Sequence, residues 1–158
     1  MSNYPVTQAI RFLKSNKINF EPFLFEYLEK GGTKHTSEVL KVDEHLIIKT
    51  LVMESEAIKP FIILMHGDKE VSTKELARQI GFKSIAVSDM KNANKYTGYE
   101  FGGTSPFGTL RQMNLYIESS IFDLEEIYIN GGKRGFIIKI NSNDLNYLNN
   151  ITKVNAAI

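Results

Sequence analysis

Lys49 stands inside HLIIKTLVM, a run otherwise built largely of apolar and β-branched residues. Burying an ammonium without a partner is costly, so its placement has two readings. Either it is a lysine on an edge strand or a solvated strand face, or it is a cation aimed into a pocket, holding a phosphate or a carbonyl oxygen. The segment Phe101 to Gly108, FGGTSPFG, is a second place for chemistry. Its glycines let backbone approach a ligand and present N–H groups to an anion or an oxyanion, although plain turns use the same residues. A third is Lys133-Arg134 in INGGKRGFIIKI, which reads as a solvated charged turn or as a phosphate contact.

Other chemistries find little support. The chain has no cysteine, which excludes disulfides, thiolate nucleophiles and cysteine-ligated zinc. His35, His45 and His66 are scattered without ligand spacing, so no metal site and no cofactor is expected. Ser105 lacks a G-x-S-x-G context. Asp123, Glu125 and Glu126 lead into a strand and read as loop solvation rather than an acid–base pair. Nineteen Lys and Arg against eighteen Asp and Glu leave a net charge of +1 over 158 residues. Such a balance does not steer a polyanion, so any nucleic-acid contact must come from a local basic patch.

The elements that position these residues can be read from pattern. Pro5 followed by Val6, Ala9, Ile10 and Leu13 at helical spacing predicts a helix to about Asn16. INFEPFLFEYL reads as a strand interrupted near Pro22. Gly31 and Gly32 open a loop, and Thr36 is placed to cap a short helix through Val42. LIIKTLVM and PFIILM are neighbouring strands. Ser72 and Glu75 form a capping box for a helix stopped by Gly81, and Ser88 is read as the cap of another that ends at Gly98. MNLYIE, EEIYIN and FIIKI are strands, the last two joined as a hairpin, and a helix from about Asn143 to Asn150 closes the chain. Helices interleaved with strands before a hairpin-rich second half predict an α+β fold with a mixed sheet. One domain spanning 1–158 is expected. With no signal-type N-terminus and no run of ~20 apolar residues, the chain reads as cytoplasmic with no membrane role.

Taken together, AIRFLKSNKINF, IIKTLVM, TGYEFGGTSPFG and IYINGGKRG, in this order, make the chain resemble the YbaK/EbsC family of prolyl-tRNA-synthetase-associated editing domains. The resemblance covers nearly the whole length. It implies a mostly antiparallel, barrel-like mixed sheet surrounded by helices, and hydrolysis of amino acids mischarged onto tRNA, most often tRNA for proline. Lys49 maps onto the family's key strand lysine. The glycine loop maps onto Gly102, Gly103, Thr104, Ser105 and Pro106 and continues through Phe107 and Gly108 as the substrate-binding segment, with Tyr27 lining the pocket. Implied partners are tRNA and prolyl-tRNA synthetase. Cys-tRNA(Pro) is the implied substrate, cleaved by attack of its own thiol. Ala-tRNA(Pro), cleaved by water, is the alternative, and a non-catalytic tRNA- or nucleotide-binding module is the reading from another class.

Overall fold

A computed structural model describes residues 3–57 and 59–158. Helix α1 (Gln8–Ser15) starts where Thr7 accepts from the Ile10 N–H at 3.2 Å, and it buries Ala9, Ile10 and Leu13. Strand β1 (Glu21–Leu24) runs straight through Pro22, which is no interruption: β1 ends the sheet, so the missing N–H removes nothing from a central ladder. Helix α2 (Gly32–Leu40) begins four residues ahead of the expected cap. Thr36 lies inside it, and its hydroxyl donates back to the Gly32 carbonyl at 3.2 Å.

Strands β2 (Ile47–Ser55) and β3 (Pro60–His66) pair antiparallel, with Lys49 opposite Met65. Helix α3 (Thr73–Ile80) has Ser72 as its N-cap and Gly81 in the left-handed region at φ 83°. Only half of the expected box forms, because the Glu75 carboxylate turns to Arg78 instead. Short strand β4 (Ile85–Val87) leads to α4 (Met90–Thr97), whose cap is Asp89 rather than Ser88: the Asp89 carboxylate accepts from the Asn92 N–H at 2.7 Å. Ser88 instead donates to Glu54.

Strands β5 (Asn114–Glu118), β6 (Glu126–Lys133) and β7 (Phe136–Asn141) follow, β6 and β7 as the expected hairpin. The closing helix is a short 3₁₀ segment, Ser142–Tyr147, and a further strand, β8 (Ile151–Val154), lies parallel to β5. The mixed eight-stranded sheet runs β1-β7-β6-β2-β3-β5-β8, with β4 also on β2. Four of the seven pairings are antiparallel.

Strand alternation divides the sheet into two faces. Ile48, Val52, Ile62 and Leu64 join α1 in one core, while Met53, Phe61 and Ile63 meet Leu76 and Ala77 of α3 in another. With both faces covered, β3 is buried throughout, which explains why PFIILM shows no polar alternation. One edge of β2 is divided: its start pairs with β6 through Ile48, and its end pairs with β4 from Met53. Between them the edge from Lys49 to Val52 pairs with no strand among the described residues, though the Val52 carbonyl accepts from the Ser88 N–H.

Candidate active site

Lys49 shares its face of β2 with Ile47 and Leu51. The parallel register of Ile47 with Tyr128, and then of Asn130 with Ile137, extends that face across β6 and β7. Helix α2 and the segment before it cover this part of the sheet and leave a cleft of ≈ 310 Å³. Apolar groups, including Phe25, Ile47, Leu51 and Ile137, form much of its wall. The charged residues lining it are Lys30 and Lys49, and no carboxylate is among the lining residues. In a molecule of net charge +1, that makes this spot locally cationic.

The Lys49 side chain is 19% exposed, and its Nζ donates to the Lys69 carbonyl at 2.6 Å and stands 3.7 Å from Glu70. Glu70 is 84% exposed, so solvent screens that pairing. An ammonium has three donors, and the Lys69 bond uses one. Thr50 also lines the cleft, and its Oγ1 is buried with no hydrogen-bond partner among the described residues.

The glycine loop meets the cleft at Phe101, Gly102 and Thr104. Gly103, Ser105, Pro106 and Phe107 are buried behind it. Ser105 Oγ accepts from the Phe107 N–H, and the Phe107 ring packs on Phe12 with centroids 5.4 Å apart. The Phe107 carbonyl accepts from Tyr99 Oη, and burial pushes the Tyr99 pKa up to about 12, keeping it a donor at any physiological pH. Gly108 lies against the backbone of Gln8. Most of FGGTSPFG is therefore an anchor that aims three residues.

Close approach explains why the separated motifs occur together. A Cβ on Gly103 would stand 2.8 Å from the backbone of Lys133 and Arg134, and one on Gly102 would stand 3.0 Å from the Tyr27 ring. Asn130 ties the same parts together: Nδ2 donates to the Gly102 carbonyl at 3.2 Å, and Oδ1 accepts from Gly132 and Lys133. Arg134 lies over the Tyr27 ring at 5.0 Å and donates through Nε to the Phe101 carbonyl at 2.7 Å. It thus clamps the loop to the hairpin, while Lys133 stays exposed. Tyr27 lines the cleft and bears this clamp as well.

Phe25, Lys30, Asn130 and Gly135, which the sequence does not single out, and His35, which it offers only as one of three scattered histidines, all line the cleft. Only INGGKRG carried a signal for two of them, as turn residues. His45 and His66, scattered in sequence, stack their rings in parallel at 3.7 Å, and with Asp68 they place three potential ligand atoms within 4.8 Å. A metal ion binds imidazole in the ring plane, and two parallel rings at that spacing share no in-plane point. Three of the four ring nitrogens are instead used in hydrogen bonding: both of His66, with the His45 carbonyl and Ser120, and Nδ1 of His45, with Asp68.

Burial holds the His66 pKa below its usual 6.5, against the opposing pull of Asp68, Glu118 and the His45 carbonyl. The folded chain therefore carries neutral His66, whereas the unfolded chain takes up a proton at about pH 6.5. Stability from this group is complete above that pH and declines as pH falls toward the folded pKa. Urea melts at pH 7.5 and pH 5.0 should show a larger loss for wild type than for His66→Gln. Equal losses would remove His66 as the cause.

A family model for the aminoacyl-tRNA editing domain matches residues 32–148. The chain belongs to that family. Editing an aminoacyl-tRNA is hydrolysis of the ester joining amino acid to terminal ribose, so membership places the chain among deacylating enzymes and bears out the motif resemblance. A relative from Enterococcus faecalis, EbsC, provisionally named a Cys-tRNA(Pro)/Cys-tRNA(Cys) deacylase, is 28% identical over 135 residues, 85% of this chain and 82% of the relative. A proline–tRNA ligase from Thermodesulfovibrio yellowstonii is 37% identical over 91 residues, 58% of this editing-domain chain but 16% of the ligase. A solved structure described provisionally as a trans-editing enzyme for prolyl-tRNA synthetase superposes with TM-score 0.82 at 16% identity, covering 98% of this chain and 99% of the other, which establishes the shared fold. No helix among the described residues is long and apolar enough to cross a membrane.

Proposed function

We propose that this editing domain works in trans, with residues 1–158 acting as one cytoplasmic unit that hydrolyses a small amino acid from mischarged tRNA. Cys-tRNA(Pro) is the first substrate and Ala-tRNA(Pro) the nearest alternative. The observation that carries this reading is the cleft itself: Lys49 and the loop residues Gly102 and Thr104 line a pocket with no carboxylate in its lining, in a chain with no thiol. An activated ester needs little beyond positioning and a stabilised oxyanion.

In this mechanism Lys49 holds the terminal phosphate or the aminoacyl carbonyl. The Gly103 N–H is committed to the Glu100 carbonyl, leaving the Gly102 and Thr104 N–H groups to face the aminoacyl end. With a cysteinyl ester the substrate sulfur attacks the carbonyl carbon, the ester C–O bond breaks, and the thiol proton passes to the departing ribose oxygen. Water then opens the resulting thiolactone to free cysteine. With an alanyl ester, water attacks directly.

A net charge of +1 offers little grip on a whole tRNA, so prolyl-tRNA synthetase is assigned part of the hold, with Lys133 and Arg134 beside the cleft as further phosphate contacts. The test is a deacylation panel with catalytic amounts of protein, with and without the synthetase. Several equivalents of cysteine released from Cys-tRNA(Pro) are expected. A preference for Ala-tRNA(Pro) would move the assignment to the alternative, and stoichiometric binding without release would make the chain a binding module.

A further inference from the structure

Two large apolar side chains at the cleft are left exposed: Phe101 at 54% and Leu28 at 53%. At ≈ 310 Å³ the cleft stands at the lower end of the ~300–1,000 Å³ typical of ligand sites. With the ester placed at Lys49 inside the cleft, the exposed pair offers an apolar surface to the attached base. The backbone around Phe101 is held on three counts. The Gly103 N–H donates to the Glu100 carbonyl at 2.9 Å, closing a turn with Phe101 and Gly102 at its centre. Arg134 binds the Phe101 carbonyl, and Asn130 binds that of Gly102. The loop is thus pre-set while the Phe101 ring keeps open surface. Tyr27, the other aromatic side chain beside Gly102, has its ring engaged by the Arg134 guanidinium.

Resting on the deacylase reading above, we propose that Phe101 is the stacking platform for the terminal nucleobase of the acylated RNA, with Leu28 as an apolar flank. It positions the ester over Lys49 without touching the reacting atoms. Base–aromatic stacking contributes about 1–3 kcal/mol per base and accepts any base, which suits an end common to all tRNAs and leaves amino-acid choice to the interior of the cleft.

The chain has no tryptophan, so the F101W variant carries a single indole reporter. Titration with the trinucleotide CCA should quench its emission, and a CC trinucleotide analogue ending in an abasic ribose should bind several-fold more weakly. Phe101→Ala should raise KM for mischarged tRNA roughly 5- to 150-fold while the single-turnover rate at saturating tRNA changes little, and Phe101→Tyr should restore KM. Equal quenching by CCA and its abasic form, or an unchanged KM in Phe101→Ala, would overturn the platform and leave the deacylase reading intact. Base-dependent quenching in a protein that releases no amino acid from any mischarged tRNA would keep the platform and remove the reaction.

Discussion

Lys49→Ala should lose at least ~10²–10³-fold in single-turnover deacylation, the scale on which one pre-placed electrostatic stabiliser acts. The expectation follows from surroundings rather than from charge alone. Lys49 is mostly buried on a face it shares with the cleft's apolar wall, no carboxylate among the lining residues neutralises it, and its closest acidic neighbour, Glu70, is largely in solvent. The hydrogen bond to the Lys69 carbonyl holds the ammonium against the β3–α3 connection. The fold should barely notice the change, since one partly exposed hydrogen bond contributes about 0.5–1.5 kcal/mol. A melting temperature close to wild type, together with the rate loss, separates chemistry from folding. Deacylation by Lys49→Ala at the wild-type rate would end its catalytic role.

The second large effect is expected at Gly135. Its φ of 71° suits glycine, and an added Cβ would lie 2.3 Å from the Phe25 carbonyl oxygen. Phe25 cannot easily retreat, because its N–H donates to the Gly135 carbonyl at 2.9 Å and its ring packs on His35. Gly32 provides the control: its φ is 59°, with nothing within 4 Å of an added Cβ. Gly32→Ala should therefore cost only the left-handed backbone penalty, ~1–2 kcal/mol. Gly135→Ala should exceed it by a further ~1–3 kcal/mol, the scale of overpacking a tight site. Deacylation should fall as well, because Phe25 and Tyr27 line the cleft and must move. Urea midpoints decide the matter: if the two variants unfold at the same concentration, the collision with Phe25 is not what demands glycine.

Features spelled by neighbouring residues were legible without coordinates. A lysine amid apolar strand residues, a loop of glycine and proline, a glycine-containing hairpin and a serine cap before α3 each depend on a few consecutive positions. Each formed because local backbone preference and hydrophobic pattern agreed. The same local view failed where competing caps stood side by side: Asp89 took the place of Ser88, and α2 began at Gly32 despite Thr36. It failed again at β8, four residues of mixed polarity that become a strand through pairing with β5, a partner more than thirty residues away.

Within the site, sequence alone determined the types of group available: a strand cation, bare loop backbone, and neither thiol nor tryptophan anywhere. Tertiary structure decided which of them face one another. The register of β2 against β6, and of β6 against β7, sets Lys49 on the same face as Asn130 and Ile137, and the pairing of β7 with β1 brings Phe25, just past β1, to the same cleft. The packing of Gly102 and Gly103 against Tyr27 and the hairpin leaves Gly102 and Thr104, rather than Ser105 or Phe107, at the cleft. The pairing of β2 with β3, which sets Ile48 opposite His66, likewise stacks His45 on His66 across 21 residues. These outcomes depend on contacts between distant segments, where each residue's environment is supplied by others whose positions no local pattern encodes.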